Sequence, residues 1–108
     1  MTPRHRGLGR RYLLRYADCT REHLRALTAR DRTTVVDAID ERLSFEPAQG
    51  TRHRKRMDDN SLDAGFELRV GALRVYYDVD EREHIVNVLA IGLKDRNRVL
   101  IGGEEIEL

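Results

Sequence analysis

Cysteine occurs once in this chain of 108 residues, as Cys19. No internal disulfide can form, which fits a reducing compartment. Cys19 has no histidine placed to activate it, so an inert small thiol is expected. Histidine is sparse as well. His5, His23, His53 and His84 are scattered, no two at ligand spacing, and His53 sits among cations that would repel a metal ion, so no metal site is expected. A glycine-rich phosphate loop is missing: Gly102-Gly103 lacks both the lysine and the following helix. Long apolar runs are missing too. The longest, "IVNVLAI" from Ile85 to Ile91, is interrupted by Asn87 and is far too short to span a bilayer. No apolar run follows the basic N-terminal residues, as a signal peptide would require. These shortages leave a cytoplasmic protein with no membrane role and no cofactor as the expectation.

What is abundant is charge. Charged residues make up 36% of the chain and hydrophobic ones 40%, enough for a globular core and against wholesale disorder. The net charge of +1 conceals an uneven distribution. Arg4, Arg6, Arg10 and Arg11 crowd one end, "RHRKR" fills residues 52–56, and the chain closes on "EEIEL". Local clusters of this kind steer partners even when the total is near zero. The length suits one domain over 1–108, with a basic extension at 1–9 and an acidic tail at 102–108.

Periodicity supplies the elements. "RRYLLRYAD", Arg10 to Asp18, reads as a strand, and Asp18 or Thr20 can cap the helix that follows, with Leu24 and Leu27 on one face. "TARD", Thr28 to Asp31, has capping-box spacing. It opens a second helix in which Val35, Ile39 and Leu43 recur every four residues, with Val36 alongside, until Pro47 and Gly50 stop it. Residues 47–65 read as a loop, with room for a short strand near "KRM".

Then "FELRVGALRVYYDVDE" alternates. Phe66, Leu68 and Val70, then Leu73, Val75, Tyr77 and Val79, share one face; Glu67, Arg69, Arg74, Tyr76 and Asp78 share the other; Gly71-Ala72 makes the turn. "IVNVLAIGL" is apolar on both faces, as a central strand should be. The fold class expected is therefore α+β. An N-terminal strand and a helical hairpin lead into a three-stranded antiparallel meander, with the helices on one face of the sheet and the other face open. On the open face Arg69, Arg74 and Tyr76 would project, with Lys94 and Arg96 following at the sheet edge and Lys55 and Arg56 in the neighbouring loop. Polar strand residues of this kind can simply be the solvated side of a sheet; arginines beside an aromatic also suit phosphates and stacked bases, so nucleic-acid contact is the functional alternative.

The stretch "ELRVGALRVYYDVDE" resembles the RelE/ParE family of toxins from bacterial toxin–antitoxin pairs. That family carries an arginine, a glycine turn, then "yRviY" and an acidic turn; here these are Arg69, Gly71, "LRVYY" with Arg74 and Tyr77, and "DVDE". An apolar strand ending in glycine and a basic segment come next, matched by "VNVLAIGLKDRNRVL" with Gly92, Lys94 and Arg96. The resemblance covers roughly residues 10–100. It implies a toxin neutralised by a co-expressed antitoxin. RelE-like members cleave mRNA in the ribosomal decoding site, by attack of the RNA 2′-hydroxyl on its own phosphate and without metal. ParE-like members instead inhibit DNA gyrase.

Under the cleaving reading the resemblance makes Arg74 and Lys94 the catalytic cations and Lys55 and Arg56 part of the basic stretch that holds RNA. Arg69, Tyr76 and Arg96 complete the RNA-binding set. Leu100 stands where many RNA-cleaving members have a tyrosine, and leucine has no proton to give. Glu67 falls near a place where some members carry lysine. Tyr76 or His53 are the available substitutes for proton transfer. A mutually exclusive reading is a degenerate member that binds only its antitoxin. The partner segment is expected to be acidic and apolar and to cover the open face, unless the chain's own tail "GGEEIEL" does so, hinged at Gly102-Gly103.

Overall fold

The N-terminal strand is shorter than its pattern, β1 spanning Leu13–Tyr16. The computed structural model describes residues 11–50 and 53–108; the basic extension 1–9 with His5, Arg10, and Arg52 of the basic cluster lie outside the described residues. α1 spans Thr20–Arg25. Its N-cap is Cys19, with no capping side chain, and Thr20 donates its hydroxyl back to the Ala17 carbonyl at 2.7 Å, so neither Asp18 nor Thr20 caps as expected. α2 spans Ala29–Leu43 and does start on the spacing read from "TARD": the Thr28 side chain accepts the Asp31 amide at 3.0 Å. It ends before Pro47, on the Ser44 C-cap.

Six further strands follow: β2 Arg54–Arg56, β3 Phe66–Val70, β4 Leu73–Asp80, β5 Ile85–Asp95, β6 Arg98–Ile101 and β7 Glu104–Ile106. Among the described residues the sheet order is β2-β3-β4-β5-β6-β7, each neighbour antiparallel, with β1 added parallel to the outer side of β5. The α+β layout with helices on one face is as expected. The sheet is larger than the three-stranded meander because β2, β6 and β7 are only three or four residues long, too short for alternation to announce them.

The helix-side core contains Val35, Ile39 and Leu43 of α2 against Phe66, Leu68, Val75, Tyr77, Val86, Val88 and Ile91. Tyr77, the second tyrosine of the hairpin motif, is fully buried there, stacks on Phe66 at 5.3 Å and donates its hydroxyl to the Pro47 carbonyl at 2.7 Å. That bond ties the hairpin to the loop after α2.

A bulge in β5 allows its apolar residues to serve both faces. Tyr76 lies opposite Ala90 but Tyr77 lies opposite Val88, so Leu89 is the extra residue. Val86 and Val88 face the helices before the bulge and Ile91 faces them after it, while Leu89 and Ala90 turn together to the second face. On its outer edge β5 is paired by β1 up to Val88 and by β6 from Gly92. α1 fills the gap: the Cys19 thiol donates to the Leu89 carbonyl at 3.4 Å, and His23 Nδ1 accepts the Ile91 amide at 3.2 Å.

The second face is not open as expected. Ala64, Tyr76, Ala90 and Ile101 form a small second core, packed by Met57, Leu62, Leu89, Val99 and Ile106. The Ser61 hydroxyl donates to the Glu107 carbonyl at 2.7 Å, joining the loop before β3 to the tail after β7. Those segments belong to opposite ends of the strand order, so the sheet curls toward this face. The tail, considered above as an alternative cover hinged at Gly102-Gly103, forms a strand, its turn made at Gly102 and Gly103 with φ of +63° and +84°. No helix among the described residues is long and apolar enough to cross a membrane.

Candidate functional site

Register places the candidate residues. Glu67 lies opposite Tyr76, Arg69 opposite Arg74, and Arg74 in turn opposite Gly92. Lys55 lies opposite Glu67, and Lys94 stands two residues beyond Gly92 on the same face. Lys55, Glu67, Arg69, Arg74, Tyr76 and Lys94 therefore share the second face. Arg56 does not. It lies opposite Phe66 and its guanidinium covers that ring at 5.1 Å, on the helix side. Arg96 does not either: it forms the β5–β6 turn with φ of +60° and points to solvent at the sheet's end.

Arg74 was expected to project from an open face. Instead it is only 9% exposed. One of its terminal nitrogens donates to the carbonyls of Gly71 at 2.7 Å and Leu73 at 2.9 Å. None of the ion pairs among the described residues includes it. A guanidinium cannot shed its proton, so this is a cation held largely out of water without a carboxylate. Arg69 directly across the ladder is a second positive charge, and like charges so placed repel. Arg69 is ion-paired with Glu67 at 2.8 Å, its side chain 41% exposed and that of Glu67 12%. Glu67 thus offsets Arg69 and leaves Arg74 alone.

Tyr76 does not project either. It is fully buried in the second core, its hydroxyl close to the Glu67 carboxylate but in no hydrogen bond of normal geometry. Burial pushes its pKa up, and the nearby Glu67 carboxylate pushes it further in the same direction. Stacking of a base on this ring is closed in this conformation. Leu100, which stands where the family resemblance places a tyrosine, lies opposite Leu93 and lines a small cavity with His23, Ala26 and Leu27. It is on the helix side, across the sheet from Arg74. His53 is exposed on the chain entering β2, where its carbonyl accepts the Arg69 amide at 2.8 Å.

Gly92 has a packing reason. A Cβ there would meet the Leu100 carbonyl oxygen at 2.7 Å and Ile101 Cγ1 at 2.8 Å. Only glycine admits β6 this close to the strand that backs Arg74. Among the described residues no group of three or more histidine, cysteine or carboxylate side chains has the placement to hold a metal ion.

No family model matches the sequence, and no curated protein matches it. Solved structures do. The toxin–antitoxin complex RelBE2 from Mycobacterium tuberculosis aligns with a TM-score of 0.67 and 27% identity, over 78% of this chain and 92% of that one. The archaeal RelE–RelB complex from Pyrococcus horikoshii aligns with a TM-score of 0.62 and 21% identity, over 81% of this chain and 97% of that one. Both relatives are RelE toxins in complex with their antitoxins. With its hairpin motif set in the fold those structures share, the chain is similar to the RelE toxins in sequence pattern and in architecture.

Proposed function

We propose that the chain is the toxin half of a toxin–antitoxin pair and that it stops translation by cutting mRNA on the ribosome. The observation that carries this reading is the solitary buried Arg74. A cation without a carboxylate, beside Arg69 and on the same face as Lys55 and Lys94, is a site short of negative charge. A phosphodiester supplies that charge, and more of it as the reaction proceeds. Arg74 would stabilise the phosphorane that forms when the RNA 2′-hydroxyl attacks the adjacent phosphorus, with Lys94 as the second cation. Lys55 and Arg69 would grip the flanking backbone. This chemistry draws its nucleophile from the substrate and asks the protein only for positioning, charge and proton transfer.

The same charge deficit gives a reason for an antitoxin. An acidic segment laid along the second face would satisfy Arg74 and Lys94 and exclude RNA, and RelE-like neighbours are found bound to antitoxins. The turned-away Leu100 and the sealed Tyr76 hydroxyl favour a second reading, in which no RNA is cut and the chain inhibits DNA gyrase or only binds its antitoxin. Induced expression without a partner separates these. Labelled amino-acid incorporation failing first, with new mRNA ends in primer extension, supports cleavage. Thymidine incorporation failing first moves the assignment to gyrase, and neither effect leaves a binding protein.

A further inference from the structure

We propose that Glu67 is the general base of this site, an assignment that rests on the RNA-cleaving reading. A transesterification by the 2′-hydroxyl needs a group to take its proton. Leu100 lies on the opposite face of the sheet from Arg74, so that part of β6 cannot supply one. The acceptor has to stand on the second face. Lys55, Arg69, Arg74 and Lys94 are donors there, not acceptors. Tyr76 has its hydroxyl sealed in the second core. Asp78 lies four residues along β4 from Arg74, roughly 13 Å by strand rise, and its carboxylate accepts the Gly65 amide at 2.6 Å. Glu104 pairs with Ile101, three strands from Arg74, or roughly 14 Å at normal strand spacing.

Glu67 remains. It lies opposite Tyr76 and is therefore the diagonal neighbour of Arg74, about 7 Å away by strand geometry and within reach of a shared substrate. Its carboxylate is held at 2.8 Å by Arg69, which fixes its direction. With its side chain only 12% exposed, it is not a loose surface charge. Held by Arg69 and one strand from Arg74, this carboxylate can take a proton while Arg74 holds the phosphate charge.

The step balances as follows. A Glu67 carboxylate oxygen takes the proton of the 2′-hydroxyl as the bond from the 2′-oxygen to phosphorus forms. The bond from phosphorus to the 5′-oxygen breaks, and that oxygen takes a proton from water. The products are a 2′,3′-cyclic phosphate and a 5′-hydroxyl end, and Glu67 returns its proton to solvent.

The test is single-turnover cleavage of mRNA on programmed ribosomes by the full chain, followed across pH for wild type, Glu67→Gln and Glu67→Asp, with circular dichroism as the folding control. Loss of the base should slow Glu67→Gln by roughly 100-fold or more and remove the rise in rate on the acid side of the profile. Glu67→Asp should keep that rise at a lower rate. Glu67→Gln with the wild-type rate and profile overturns the assignment, as does an equal fall in both variants with the profile unchanged, which would mark Glu67 as charge balance for Arg69. A wild-type protein that cuts no RNA overturns the cleaving reading itself and this assignment with it.

Discussion

Arg69 and Arg74 face each other across β3 and β4, and only Arg69 has an ion-pair partner. Arg74 keeps its charge in a site that hides most of it from water. Arg74→Met keeps the volume and removes the desolvation cost, against the loss of two hydrogen bonds worth about 1 kcal/mol each. Stability should stay within about 1 kcal/mol of wild type or rise. Cleavage should fall roughly 100- to 1000-fold, as for loss of one donor to a transition-state anion. Chemical denaturation and primer-extension mapping of mRNA ends, on the same protein, read the two effects separately.

Gly92 backs the arginine pair. Alanine there would drive its Cβ into the Leu100 carbonyl oxygen at 2.7 Å. That contact is with backbone, which cannot swing aside, so β6 must shift. The expected cost is about 1–3 kcal/mol, read from denaturation midpoints. Gly71→Ala makes the comparison. A Cβ at Gly71 meets nothing within 4 Å, and its cost comes only from the φ of +60°.

Arg96 occupies a left-handed conformation that glycine adopts freely, at φ of +60°. Arg96→Gly should raise stability by about 1 kcal/mol. If Arg96 also touches RNA, the more stable variant will bind RNA less tightly, and filter binding at two salt concentrations will show a shallower salt dependence. Unchanged RNA binding would leave Arg96 as a strained turn residue alone.

His23 holds the amide of Ile91 through an unprotonated Nδ1, and burial lowers its pKa from the usual value of 6.5. The unfolded chain therefore takes up this proton before the folded one does. The contribution of His23 to stability is complete above pH 6.5 and is lost as pH falls from there through the lower folded pKa. The residues lining the adjoining cavity, Ala26, Leu27, Ile91, Leu93, Leu100, Gly102 and Gly103, carry no charge to offset a protonated ring. Urea midpoints measured from neutral to about pH 5 should drop more for wild type than for His23→Leu.

Much of the fold is legible in the residues. Val35, Ile39 and Leu43 at helical spacing land fully buried against the sheet. The alternation from Phe66 to Val79 sorts correctly into two faces, with the turn at Gly71. The site is less legible. Parity says that Arg74 and Tyr76 leave the helix-side core, but it does not say what they meet. Met57 and Leu62 of a loop organised by Asn60, with Ile106 of the three-residue β7, cover part of that face, and their pattern is too short to read. Arg56 and Lys55 are adjacent in one basic cluster, yet the pairing of β2 with β3 sends them to opposite faces.

By itself the sequence determined the layers, the hairpin and the face on which Arg69 and Arg74 stand. Those follow from local periodicity, where each apolar side chain must find the same side of its element. Only the tertiary structure decided that Tyr76 is sealed, that Leu100 is turned away, and that Glu67 neutralises one arginine and leaves the other alone. These depend on register and on the curl that brings Ser61 to Glu107, across 46 residues of chain. Contacts at that separation are set by which strands pair and how far the sheet bends, and no single stretch of sequence carries either.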